Sequence, residues 1–260
     1  MSTKQDQLMK LTIDFNVLLM NDEMPLTQRI SKLLQIQSQF DILPNQASKD
    51  IFQLQCNLCL GQCYIKAHQK YKLTPLVEEC KQLLLQMEEH DFATQPQEVY
   101  GYLAERQESY YGELIALCQA KNHQQDIAHL HQQVARIWDR VGNEKNCIRA
   151  FVLSNIALAK VPGKFALTKE QLVEQFAENK DVVDQAFEAS KGLKTDPIEQ
   201  TPEYIAIYDQ AERIIQGLIE QQGRLSNTPD QYWNIKAEVL QLHFGMQWKS
   251  PRSLNPGVKF

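Results

Sequence analysis

Apolar residues recur every three to four positions along most of the chain. Ile127, Leu130, Val134, Trp138 and Val141 follow one helical face, as do Tyr204, Tyr208, Ala211, Ile215 and Leu218. Each stripe needs a partner surface, so the pattern predicts helices packed on helices. It divides the chain into about eleven helices, at roughly 5–20, 26–39, 47–70, 75–90, 97–119, 123–141, 144–161, 168–178, 180–193, 202–223 and 229–246. The breaks between them are short, which makes most neighbours antiparallel. The expected fold is all-α, an antiparallel helix-pair stack.

Local chemistry fixes several helix starts. Thr-Pro occurs at Thr74-Pro75, Thr201-Pro202 and Thr228-Pro229, each directly before an apolar-periodic run. There a Thr hydroxyl can cap backbone amides and Pro can open the first turn. Thr168 with Gln171 three residues on has the form of a capping box. Breaks fall at 41–45, 71–73, 91–95, 162–165, 191–202 and 223–228. The 191–202 connection divides a helical-repeat domain, 1–193, from a C-terminal helical pair, 202–246. The last residues, 247–260, contain Pro, Gly and three basic side chains but no acid, and read as an extended basic tail that exposes Trp248 and Phe260.

Composition strengthens the helical reading. Of 260 residues 32 are Gln, a good helix former, while only 10 are Gly and 10 Pro. The net charge is -5 with Lys and Arg scattered, which gives no footprint for nucleic acid or an anionic membrane. Met1 to Asp6 carries no basic head leading into an apolar core, and no window approaches the roughly 18 apolar residues of a membrane span, so the expected compartment is the cytoplasm. There the six cysteines are expected to be reduced thiols.

Candidate chemistry is sparse. Cys56, Cys59 and Cys63 could offer three thiolates to a metal. Their i, i+3, i+7 spacing is equally one buried helical stripe, and no metal or other cofactor is expected. His129 and His131 point about 200° apart on one helix and cannot share an ion. Glu88 to Asp91 closes a helix and reads as a solvated end. No Gly-rich phosphate loop, Gly-x-Ser-x-Gly elbow or His-Glu-x2-His helix occurs, and a non-catalytic protein is expected. An enzyme with a site between the 1–193 and 202–260 portions would instead show a buried cluster of titratable groups across that division.

One segment carries a repeat pattern. His131-x2-Val134-Ala135-x2-Trp138, then Val141-Gly142-Asn143, then Cys147-Ile148-x2-Phe151-x2-Ser154 puts small residues at close contacts, aromatics at fillers and Gly at the turn. Asn57-x2-Leu60-Gly61-x2-Tyr64 repeats the first-helix half, and Tyr100-x2-Leu103-Ala104 does so more faintly. Over about 128–160, and in part over 54–90, the chain resembles the tetratricopeptide-repeat family. That resemblance implies a concave face lined by positions one and five residues after each small residue. These are Gln62 and Lys66 in one unit, and Arg136 and Arg140 in the other. Three of the four are cationic, which suits a protein partner offering an acidic or C-terminal peptide segment.

A second resemblance, to the 14-3-3 proteins, rests on Ile148-Arg149, Asn155 and the Tyr110-Tyr111 pair. It adds Asn155 to the groove and implies a homodimer formed through the N-terminal helices. Asn57 and Tyr64 occupy the basic sites of that family's third helix, so phosphopeptide binding is not implied.

Overall fold

The computed structural model describes residues 4–20, 24–40, 46–221, 229–256 and 258. Among them are twelve α-helices and no strand. They are α1 (Lys4–Met20), α2 (Leu26–Gln37), α3 (Gln46–Lys66), α4 (Leu73–Thr94), α5 (Tyr100–Lys121), α6 (Gln124–Val141), α7 (Glu144–Leu158), α8 (Lys169–Gln175), α9 (Lys180–Ala189), α10 (Pro202–Gln221), α11 (Pro229–Phe244) and α12 (Pro251–Leu254). Antiparallel helix packing is therefore the architecture, as the periodicity predicts. No helix among the described residues is long and apolar enough to cross a membrane.

The helix ends show where local signals prevail. Thr168 and Gln171 form the full capping box, and Tyr204 N–H donates to Thr201 Oγ1 at the start of α10. Thr74-Pro75 behaves differently: a 3-10 turn at Lys70–Lys72 runs directly into α4, which begins at Leu73, two residues before the expected first residue, Pro75. Pro75 then sits in the first turn, where its missing N–H would have had no intrahelical acceptor. Thr228, the expected breaks at 41–45 and 223–228, and Phe260 lie outside the described residues. The helix expected at 75–90 extends to Thr94, and the one expected at 180–193 stops at Ala189.

The chain forms two units, Met1–Leu117 and Cys118–Phe260. In the first, α1 packs on α2, α2 on α3 and α3 on α4. Leu11, Phe15 and Leu18 turn inward from α1, and Phe15 meets the Phe52 ring at 5.9 Å. Cys56 and Cys63 face the interior of α3, where burial pushes the Cys56 thiol up to about 12. Gly61 lies against Leu117 so closely that a Cβ would stand 2.5 Å from its Cδ1. Polar cross-links complete the packing: Gln37 Nε2 donates to Asn57 Oδ1 at 2.8 Å, and Gln55 Nε2 to Tyr110 Oη at 3.2 Å.

In the second unit α6 and α7 form the closest pair. Gly142 closes α6 in the left-handed conformation at φ 76°, and Asn143 N–H reaches Trp138 O. Asn143 Oδ1 then accepts from Asn146 N–H and caps α7. Ala128, Ala135, Ala150 and Ala157 are buried, and Ser154 Oγ donates across the pair to Ala128 O at 2.8 Å. Behind this hairpin Ile148, Val152, Leu172, Val182, Val183 and Ala186 make one core. Tyr204, Tyr208, Ile215, Ile235, Val239 and Leu240 anchor another between α10 and α11.

The glycines generate an opposed pair of predictions. Gly61→Leu should lower unfolding stability by about 1–3 kcal/mol, since buried Leu117 leaves no room. Gly217→Ala, with nothing within 4 Å, should raise stability by about 0.5–1 kcal/mol. Urea titration of the two variants checks both signs.

Candidate functional site

The 3.6-residue period that buries Ile127, Leu130, Val134 and Trp138 necessarily turns another face of α6 outward. Gln125, His129, Gln132, Arg136 and Arg140 succeed one another on that face at three- and four-residue steps. All five are exposed. His129 and Gln133 side chains meet at 3.2 Å, and Arg136 Nη1 donates to Gln133 Oε1 at 3.3 Å. A concavity of about 170 Å³ lies at the N-terminal half of this face, lined by Gln125, Ala128, His129, Gln132, Leu158 and Lys164. Phe165, next to Lys164, is exposed.

Charge accumulates here against the sign of the whole chain. Residues 124–164 carry six Lys and Arg but three Asp and Glu, in a chain of net charge -5. The face therefore offers cations, amide donors and a small recess, a set that suits carboxylates on an extended segment. His131 points away from this face towards α7, where burial and then the Arg149 charge depress its imidazole to about 4 and keep it neutral.

Asn155 takes a structural position. It is buried, its Nδ2 donating to Leu167 O and its Oδ1 accepting Leu167 N–H, both at 2.8 Å. Its amide thereby fixes the end of the segment that carries Lys164, and it reaches a ligand only through that loop. Gln62 and Lys66 belong to the first unit, where they line a concavity of about 100 Å³ together with Arg29 and Glu113.

Sequence reasoning missed a buried polar network in the second unit. Glu199, in the 3-10 turn Pro197–Gln200, accepts from Lys236 Nζ and Trp248 Nε1 on one oxygen, each at 2.6 Å, and from Asn122 Nδ2 on the other, also at 2.6 Å. Gln200 Oε1 accepts Gln124 N–H, and its Nε2 donates to Asn122 O. Lys236 Nζ stands 4.6 Å from the Trp248 ring centroid and 5.3 Å from that of Tyr204. Trp248, expected in an exposed tail, is only 9 % exposed. The tail is docked instead: Lys249 N–H donates to Asp196 Oδ2, and Asn255 pairs through both amide atoms with the Lys194 backbone.

This is a buried titratable cluster, the feature expected of an enzyme, but its electrostatics oppose proton transfer. Burial would raise the Glu199 carboxyl, yet the Lys236 charge and hydrogen bond, with Asn122 and Trp248, take it below the usual carboxylate range. Burial would likewise lower Lys236, and Tyr204, Glu199 and Glu212 outweigh it, so the ammonium is held well above its ordinary value. Both groups stay charged through the neutral range, whereas a general acid or base needs a pKa near the working pH. The side chains that make this cluster are 37 and 49 residues apart for Glu199–Lys236 and Glu199–Trp248. No local motif marks them.

No protein-family model, curated protein or solved structure matches the chain. The site must be read from its own chemistry.

Glu199→Gln should cost about 3–5 kcal/mol, because it strands the Lys236 charge in the core. The Glu199 carboxyl titrates lower in the folded chain than in the unfolded one. Its contribution is complete above the ordinary carboxylate range and is lost as pH falls through the lower folded value. Thermal melts from pH 7 downward should show the wild type converging on the variant.

Proposed function

We propose that the chain is a cytoplasmic, non-catalytic interaction module, a helix-pair stack resembling tetratricopeptide repeats, that holds an acidic peptide segment of a partner protein along α6. The observation that carries this reading is the exposed line Gln132, Arg136 and Arg140 running on from a recess bordered by His129 and Lys164. An extended peptide can place carboxylates beside the two guanidiniums and one side chain in the recess. Arg is suited to this because its planar fork meets a carboxylate with two donors. The locally positive hairpin draws such a segment in against the net negative chain.

The test is fluorescence anisotropy with two labelled peptides, one alternating Glu and Ala, the other Lys and Ala. The acidic peptide should bind, weakening as salt rises because exposed charges attract over only about 8 Å at physiological ionic strength. Arg136→Glu with Arg140→Glu should abolish binding while changing stability by about 0.5 kcal/mol or less. Equal binding of both peptides, or unchanged binding by the double variant, would overturn the reading.

A second reading, a dimeric scaffold, is favoured by α1. Met9, Ile13 and Val17 lie one turn apart on its outer side and are 65 %, 48 % and 57 % exposed. Lys10 and Asp14 flank this line, and an antiparallel copy of α1 would bring each beside its opposite. Light scattering should then give twice the chain mass, reverting to one mass in Ile13→Glu; a single mass throughout would remove this reading.

A further inference from the structure

The first unit holds a second concavity, of about 100 Å³, to which four helices contribute. Leu18 from α1 and Leu33 from α2 give it an apolar floor, and both are buried. Arg29 comes from α2, Gln62 and Lys66 from α3, and Glu113 from α5. Cys59 and Cys63 complete the α3 wall. This is a convergent set: two cations, one carboxyl, one amide and a neutral apolar surface.

Opposite charges meet at the thiols of this wall. Glu113 acts on Cys59, whose thiol is pushed up to about 11 by burial and then by that carboxyl, while Arg29 pulls the other way. Burial also raises the Cys63 thiol, against the opposing charges of Arg29 and Lys66. Both thiols are therefore protonated near neutrality and present an uncharged wall. Four residues of α-helix separate them, a rise of about 6 Å. The pocket thus sets one carboxyl, Glu113, and two cations, Arg29 and Lys66, around these thiols, within roughly the length of a small dipolar molecule.

Size narrows the ligand. A water needs about 10–15 Å³ of this kind of volume, so the recess accepts roughly seven non-hydrogen atoms. A carboxylate group on Arg29 and Lys66, an N–H donor facing Glu113 and a short apolar side chain over Leu18 and Leu33 fill that allowance. Gln62, on the same wall, can serve either polar group.

We propose that this pocket binds an α-carboxylate with an adjacent N–H donor and a small apolar side chain, the unit presented by a free small amino acid and by the C-terminal residue of a peptide. This site stands whether or not α6 binds a peptide. It goes beyond that reading by assigning Arg29 and Glu113 roles in ligand recognition.

Isothermal titration calorimetry of the full chain with L-alanine, N-acetyl-alanyl-alanine and N-acetyl-alanyl-alanine amide tests it. At least one of the two free carboxylates should bind and the amide should not. Lys66→Glu should weaken that binding at least tenfold with an unchanged melting temperature, since Lys66 is exposed. Binding of alanine alone assigns the free zwitterion, with Glu113 taking the ammonium, and Glu113→Gln should then weaken it. Binding of the acetylated peptide assigns a chain terminus, and Glu113→Gln should be tolerated because an amide oxygen still accepts the N–H. Failure of both carboxylates to bind, equal binding of the amide, or indifference to Lys66→Glu would overturn the proposal.

Discussion

A carboxylate removed from water must be paired or it destabilises the fold by several kcal/mol, and in the second unit the pairing of Glu199 draws together segments far apart along the chain. One oxygen takes Lys236 from α11 and Trp248 from the segment after it, and the other takes Asn122, two residues before α6 begins. Gln200 adds a second link by accepting the first amide of α6, one of the donors that a helix cannot satisfy internally. The start of α6, the 191–201 connection and the C-terminal segment are thus held by one charged centre. A face on α6 that is to meet a ligand in a fixed geometry gains from being anchored at this end and clamped by the close α6–α7 packing at the other.

The same logic separates holding from recognition. Charges that stabilise the unit are buried and answered by partners: Glu199 by Lys236, and Glu212 by the Tyr232 hydroxyl. Charges that the proposed function uses are at the surface, as Arg136, Arg140 and Lys164 are. Substitution there leaves packing intact, whereas substitution in the network costs the unit its core. Asn155 illustrates the boundary between the two. Its side chain binds only backbone, yet by holding Leu167 it shapes the loop that presents Lys164.

Much of the fold was legible in the sequence because helices announce themselves locally. The α6 stripe, the Gly142 turn and the Thr168 capping box each depend on residues within one or two turns. The repeat resemblance pointed to Arg136 and Arg140, and both stand exposed on α6. What was not legible depends on separation along the chain. Nothing near Glu199 specifies Lys236 or Trp248, and the Pro-bearing basic composition of the last residues resembles an appendage until Trp248 is seen against Lys236. Lys164 enters the α6 recess only because of the path set by Asn155. Arg29 and Glu113 join Gln62 and Lys66 through tertiary packing of α2 and α5 on α3, which no periodicity encodes.

The central claim is that the outward face of α6 is where a partner segment lies, and covalent mapping addresses it most directly. An acidic peptide bearing a photo-reactive benzophenone should, on irradiation and peptide mass spectrometry, label the stretch from Gln125 to Arg140 and the stretch from Leu158 to Phe165, with excess unlabelled peptide suppressing both. Saturable labelling confined to other segments, such as the docked stretch from Gln247 to Asn255, or no saturable labelling at all, would contradict the account.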